Sequence, residues 1–209
     1  MGLLDTLLGR TKPVQANLDT LFALPSAAIT LQSAAGLTIS GHAGICYKPP
    51  TGQAFEEMQA EVVKLLQMDD GDGDGGAIRS AEDAYGYHWV VVENPDVEAL
   101  VTRVHLVNSS LSDAGYGPQL LCSVFGLATA PAGSGRDDGI EAPGPGSVVR
   151  STGYLVYLFK RGSFYPFVPD GREHRSMEEE LKLRSLLAGD LTIEADLDRW
   201  FPLWDLPVG

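Results

Sequence analysis

Apolar residues recur at intervals of three and four along several parts of the chain, which predicts helices with one buried face. The clearest case runs from Gln53 to Met68. Another helix should follow Asn94, which can cap it, and Pro95, which suits its first turn. Gly115 should end this helix. Its expected buried face consists of Val97, Leu100, Val101, Val104, Val107 and Leu111.

Shorter helices are predicted near both ends of the chain. Residues 1–12 place four leucines on one side of an amphipathic helix, and these are Leu3, Leu4, Leu7 and Leu8. This helix either docks on its own domain or offers an apolar face to a partner or a membrane surface. A second helix covers Leu18 to Ala23 and should end at Pro25, and residues 176–189 form the last one.

Runs of β-branched and aromatic residues predict the strands. They are found in "AGICYKP", in "PQLLCSVFGLATA" and from Gly86 to Glu93. Residues 27–41 fit either a helix or a strand, and we expect a strand at their start. Residues 152–169 read as a hairpin that turns at "KRGS", and its two apolar faces are typical of central strands.

Together these elements predict an α+β fold, with a mostly antiparallel sheet of five or six strands and about four helices mainly on one face. The 209 residues are enough for one well-buried core, so we expect 1–209 to form a single domain. Two segments should lack regular structure: the acidic connector 69–76 and a mobile, Gly/Pro-rich loop, 131–147. An aromatic tail, 196–209, follows the last helix.

Charge and apolar runs limit the classes of partner. The net charge of −13 argues against nucleic acid and against a basic anchor on anionic lipid. No run approaches the roughly 18 apolar residues that span a bilayer. Cys46 and Cys122 lie in apolar runs without a CxxC partner, so we expect buried thiols in a reducing compartment. A disulfide between them would require adjacent strands.

Part of the acidic connector resembles a calcium-binding loop. Asp70, Asp72 and Asp74 alternate, and Gly75 follows where an EF-hand loop has glycine. The position of the bidentate glutamate, however, is Ala81. We therefore expect a solvated acidic turn, with millimolar or weaker calcium binding as the alternative, and no cofactor.

Catalytic motifs do not stand out. His42, His88, His105 and His174 are far apart and have no HExxH or CxxC companions. The chain has no nucleophile elbow, no P-loop and no Rossmann glycine pattern after a strand. Clustered carboxylates such as 178–180 are expected on exposed helix faces, where they are solvated.

Two segments are candidate binding surfaces. Lys160 and Arg161 lie at the predicted hairpin turn among aromatic residues, where a cationic pair could receive an acidic or phosphate group. Gly162 belongs to the same turn, and His88 is a further candidate ligand contact. The alternative is a tight turn that requires Gly162, with the aromatic residues in the core.

The tail is the second candidate surface. It concentrates Trp200, Phe201 and Trp204 within a few residues. Such a segment either folds back on the core or offers a docking patch to a partner.

Four segments together resemble a known family: "MGLLDTLLGR", "GYGPQLLCSVFG", "YLFKRGSFYPFVP" and "DLDRWFPLWDLP". They are similar to the PspA-associated protein PspAB, a family found mainly in actinobacteria. The resemblance runs from end to end, with the acidic connector and the Gly/Pro-rich loop as its variable parts. It implies association with phage-shock-protein-A-like proteins, which lie on the cytoplasmic face of the membrane and respond to envelope stress. It implies no set of catalytic residues.

The leading hypothesis is therefore a non-enzymatic accessory protein of a PspA-type envelope-stress response that acts by protein–protein contact. A PspA-like protein is the expected partner, and membrane association would be peripheral and through that partner. The expected location is cytoplasmic, near the inner face of the membrane. The alternative is a small-molecule-binding protein or enzyme with a pocket beside the sheet.

Overall fold

The computed structural model describes residues 17–48, 77–130 and 151–208. Four predicted segments lie outside the described residues: 1–12, Gln53–Met68, 69–76 and 131–147. The leucines at the start of the chain and the alternating aspartates of the connector are therefore among the residues that the structure does not describe.

Six strands form one sheet within the described residues, and three α-helices pack beside it. In chain order the elements are a 3-10 helix Leu18–Ala23, α1 Leu24–Ala35, β1 Leu37–Tyr47, β2 Ile78–Glu82, β3 His88–Glu93, α2 Val97–Leu111, a π-helical turn Ser112–Tyr116, a 3-10 helix Gly117–Gln119, β4 Leu120–Thr129, β5 Gly153–Leu158, β6 Ser163–Phe167, α3 Met177–Leu187 and a 3-10 helix Leu197–Arg199. The strand order is β2-β3-β1-β4-β5-β6, and every neighbouring pair is antiparallel. The predicted α+β class is confirmed.

The three α-helices lie on one face of the sheet. The predicted buried face of α2 is confirmed, except that Val97 is only half-buried. The apolar stripe of α2 and the apolar residues of α1 and α3 pack together against the sheet. On the sheet side the contacts come from alternate strand residues, which include Ile45, Phe125 and Leu155. No described helix has both the length and the apolar character that crossing a bilayer requires.

The start of α2 differs from the prediction. Asp96, not Asn94, is the cap, and its Oδ1 accepts the Ala99 N–H at 2.7 Å. Asn94 instead accepts the Asp96 N–H at 2.8 Å, which forms a turn ahead of the helix. Pro95 therefore precedes the cap rather than occupying the first turn. α2 ends at Leu111, earlier than predicted, and Gly115, with φ +91°, interrupts the helical turns Ser112–Tyr116 that follow it.

Two predictions about the first helix and strand are wrong. Pro25 does not end a helix but lies in the first turn of α1, where a missing N–H removes no hydrogen bond. The start of 27–41 is helical, not extended, because α1 continues to Ala35. Gly36, with φ +63°, ends α1, and β1 begins at Leu37.

The predicted hairpin is confirmed, with Gly162 at φ +65° in its turn. β6 is, however, an edge strand and not a central one. Its free edge is covered by the chain after α3, because Phe164 N–H donates to Thr192 O and Glu194 N–H donates to Phe164 O, both at 2.8 Å. All five residues of β6 are buried, which explains why the pattern is typical of a central strand.

The second face of the sheet is covered by the C-terminal tail (residues 196–208). Trp200 and Val208 of the tail join an apolar cluster with Trp89, Tyr165 and other residues on this face. Alternate residues along each strand thus face two different covers, a helix layer and a tail without extended regular structure.

Candidate functional site at the hairpin turn and the C-terminal tail

The hairpin turn and the tail meet at a buried carboxylate, Glu194. Its side chain is 4% exposed, and its Oε2 accepts Arg161 Nε at 3.2 Å and the Ser163 hydroxyl at 3.1 Å. Oε1 accepts the Asp196 N–H at 3.1 Å and lies 3.5 Å from Arg199 Nη1. Glu194 therefore links the turn between β5 and β6 to the first residues of the tail.

These contacts control the ionisation of Glu194. Burial alone would raise the pKa of this carboxyl, but the hydrogen bonds from the Asp196 N–H, Ser163 and Arg161 together lower it below its usual value. The carboxylate is thus held in its charged form.

Of the predicted anion-contact residues, Lys160, Arg161 and Gly162 lie together at the hairpin turn, whereas His88 lies apart from them. Arg161 already has an internal partner in Glu194, and its side chain is half exposed, while Lys160 is exposed. His88 begins β3 at the same end of the sheet, but three interstrand spacings of about 4.8 Å separate it from Lys160, or about 14 Å. His88 Nε2 instead lies 3.8 Å from Glu82 Oε2. A small anion such as phosphate could not contact both places at once.

The three aromatic residues of the tail have different environments. Trp200 is 3% exposed, stacks on Tyr165 at 5.9 Å and donates its Nε1–H to Glu194 O at 3.1 Å. Trp204 is half-buried, edge-on to Phe167. Phe201 is 57% exposed, although its carbonyl accepts the Tyr165 hydroxyl at 2.8 Å.

The exposed apolar surface of this region therefore consists of Phe201 and Leu197, which is 42% exposed. We call Lys160, Arg161, Glu194, Leu197 and Phe201 the hairpin–tail junction. It combines exposed apolar side chains with charged groups. Its backbone is held in place by contacts of both the hairpin and the tail.

A second buried carboxylate ties α3 to the tail. Glu180 is fully buried and pairs with Arg175, whose Nη2 lies 2.6 Å from Oε2. Glu180 also accepts the Val168 N–H at 2.9 Å, and Arg175 Nη1 donates to Trp200 O at 2.5 Å. The prediction that 178–180 are all solvated is wrong for Glu180. Its spacing from Leu183 and Leu187, which are buried on the same helix, could have revealed this.

The last residues of the tail are also anchored. Val208 is fully buried above Gly44, where the absence of a Cβ makes room for it. Tyr154 donates its hydroxyl to Val208 O at 3.3 Å, and Arg79 Nη2 donates to Pro207 O at 2.5 Å. No local pattern in the sequence indicates these contacts, because their partners are far apart along the chain.

A groove of about 510 Å³ lies on the helix-covered face, between α1, α3 and the ends of the strands. Its walls include Leu37, Leu127 and Leu183, and the exposed Glu179–Lys182 ion pair, 2.8 Å apart, borders it. Its volume is in the range of small-molecule sites. None of the predicted anion-contact residues lines it.

The residues that the structure describes contain no cluster of three or more His, Cys, Asp or Glu side chains able to hold a metal ion. The predicted calcium alternative at Asp70, Asp72 and Asp74 lies outside those residues and stays a prediction.

Comparison with known proteins decides the family. The family model described as "PspAB: PspA associated protein B" matches residues 1–208. The chain belongs to this family. The predicted resemblance is confirmed, and it covers both the hairpin and the tail. No curated protein and no solved structure matches the chain. The family is named for its association with PspA, and the name assigns a role to no residue of the junction.

Proposed function

We propose that this protein is a non-enzymatic accessory protein of a PspA-type membrane-stress system and that it acts by protein–protein contact. The observation that carries the proposal is the family match over residues 1–208, since the family is named for association with PspA. The partner is a PspA-like protein. The protein works in the cytoplasm near the inner face of the membrane, and any contact with that membrane is through the partner.

The hairpin–tail junction supports a contact role. Leu197 and Phe201 expose apolar surface, while Trp200 between them is buried and hydrogen-bonded. The exposed side chains are thus held on a fixed backbone, and a fixed surface loses less conformational entropy when it binds. The N-terminal leucines, Leu3, Leu4, Leu7 and Leu8, are the second proposed contact surface.

Affinity co-purification from the native cell tests this function. Four forms are compared: the full chain, a deletion of residues 1–10, the double variant Leu197→Ser/Phe201→Ser and the control Ile29→Ser. Ile29 is a matched control because it is 71% exposed on α1, on the opposite face of the sheet from the tail. We expect a PspA-like protein to co-purify with the full chain and with the control. The amount that co-purifies should fall clearly with the deletion, with the double variant or with both. Absence of a PspA-like protein from every form would contradict the proposal.

The groove between α1 and α3 favours a second function, binding of a small apolar molecule. A thermal-shift screen against metabolites tests it, because a ligand at 100 times its Kd stabilises the folded state by about 2.7 kcal/mol. We expect any genuine hit to disappear in Leu183→Trp, which fills the groove wall, and to persist in Phe201→Ser. A hit that persists in Leu183→Trp binds elsewhere, and a screen without hits removes the support for this function.

A further inference from the structure

Cys46 and Cys122 lie directly opposite each other on β1 and β4. Opposite residues of antiparallel strands have Cα atoms about 4.5–5.5 Å apart. Disulfide-bonded cysteines have Cα atoms about 4.4–6.8 Å apart. Both cysteines are free thiols. The register therefore places their two Cα atoms within the range that a disulfide requires.

The C-terminal tail shields this pair. Both thiols belong to the apolar cluster that contains Trp200 and Val208, and they are only 4% and 7% exposed. The neighbouring Cys122 side chain and burial both raise the pKa of the Cys46 thiol. Since the thiolate is the reactive form, the closed protein should react slowly with oxidants.

The end of this cover, however, is held by few specific contacts. Residues 207–208 are held by the packing of the Val208 side chain on Gly44 and by hydrogen bonds from the Tyr154 hydroxyl and from Arg79. Segments with few buried contacts open locally at lower free-energy cost than the core. Opening of the end of the tail would expose the thiols while the start of the tail and the helix-covered face stay folded.

We propose that Cys46 and Cys122 form a redox-sensitive pair, shielded by the C-terminal tail, which a peroxide oxidises to an intramolecular disulfide when the tail opens. In the first step one cysteine loses its proton, its thiolate attacks an oxygen of hydrogen peroxide, the O–O bond breaks to leave a sulfenic acid, and the departing hydroxide takes up a proton to become water. In the second step the other thiol attacks the sulfenic sulfur, the S–S bond forms, and a second water leaves. The two thiols lose two electrons in total, and one hydrogen peroxide accepts them.

Hydrogen peroxide added to the full chain tests the pair. We expect the intact mass to fall by two hydrogens, both thiols to disappear together and the product to remain monomeric on a non-reducing gel. Cys122→Ser should instead retain oxygen on Cys46. Two outcomes would overturn the proposal: retention of both thiols under conditions that oxidise the urea-unfolded chain, or disulfide-linked dimers as the main product.

The shielding by the tail is tested by the oxidation rate. Tyr154→Phe removes one hydrogen bond to Val208 O, so we expect oxidation to be about fivefold faster. Tyr85→Phe is the matched control, because Tyr85 is 66% exposed in the turn between β2 and β3. Val208→Ala should accelerate oxidation further.

Urea unfolding of each variant separates local opening from global unfolding. If the tail opens locally, the oxidation rate of a variant should increase by more than its change in the free energy of global unfolding would cause. Equal rates in wild type, Tyr154→Phe and Val208→Ala would refute the shielding, as would rates that follow global stability alone.

Discussion

The two faces of the sheet are covered in different ways. On one face three helices satisfy their own backbone hydrogen bonds and contribute apolar stripes, such as the one on α2. On the other face the tail has only one short helical turn, Leu197–Arg199, so its carbonyls need other donors. Side chains supply them: Arg79, Tyr154, Tyr165 and Arg175 all donate to tail carbonyls.

This difference has an energetic consequence. The helix layer is stabilised by apolar contacts that its three helices and the sheet share in one core, so the loss of one contact weakens the whole face. The tail depends on a few specific donors and on two buried side chains, Trp200 and Val208. We therefore expect variants on the tail side to open the structure locally and variants on the helix side to destabilise it globally.

The largest effect is expected where the two covers meet, at the Arg175–Glu180 pair. Arg175→Ala leaves the fully buried Glu180 carboxylate without its cation, and the free energy of unfolding should fall by about 3–5 kcal/mol. Urea denaturation measures the change. The control is Arg172→Ala, an exposed arginine of the same loop, which should change stability by less than about 0.5 kcal/mol. Equal effects of the two substitutions would show that the pair does not hold the covers together.

Trp200→Ala and Leu100→Ala compare the two faces directly. Each removes a large buried side chain, and each should lower the free energy of unfolding by about 3 kcal/mol. Native-state hydrogen exchange should distinguish them. Trp200→Ala should reduce the protection of amides near the tail while those of α2 are retained, whereas Leu100→Ala should reduce protection throughout. A uniform loss of protection in Trp200→Ala would mean that the tail is part of the global core.

A smaller effect is expected at the far end of the tail. A Cβ on residue 44 would lie 2.5 Å from Val208 Cγ2 and 3.1 Å from Trp89 Cε3, so Gly44→Ala should displace the tail and cost about 1–3 kcal/mol. The matched control is Gly189→Ala. Gly189 has no neighbour within 4 Å of such a Cβ, and its φ lies outside the left-handed region. Calorimetry should show a lower melting temperature for Gly44→Ala only. An unchanged melting temperature in Gly44→Ala would show that the end of the tail does not pack tightly on the sheet.

The same contrast explains which parts of the structure could be predicted. The helix face follows from local periodicity, as the stripe of α2 shows, and alternation with turn residues predicts the hairpin. The errors at Asn94 and Pro25 concern the ends of helices, where a polar residue or a proline can serve on either side of a boundary. Periodicity identifies an element but does not define where it begins.

The hairpin–tail junction could be predicted only in part. The clustered aromatic residues and the basic pair at the turn are visible in the sequence, but burial separates them, with Trp200 inside and Phe201 outside. The partners of Arg161 and Arg175 are two buried carboxylates, Glu194 and Glu180. Such pairs depend on which elements pack together, and pairwise spacing along the chain carries no information about that. The opposition of Cys46 and Cys122 likewise required the register of β1 and β4.

The smallest predicted effect concerns the pH dependence of the link between the hairpin and the tail. The pKa of Glu194 is lower in the folded protein than its ordinary value of 4.5, so its charged form contributes stability above that pH. The contribution should be lost as the pH falls from about 4.5 through the folded-state pKa. Glu194→Gln keeps an acceptor but no charge, and we expect a loss of about 1 kcal/mol at neutral pH, together with a weaker acid dependence of urea unfolding. An unchanged acid profile in this variant would show that the junction is held by the tail's apolar contacts and not by its carboxylate.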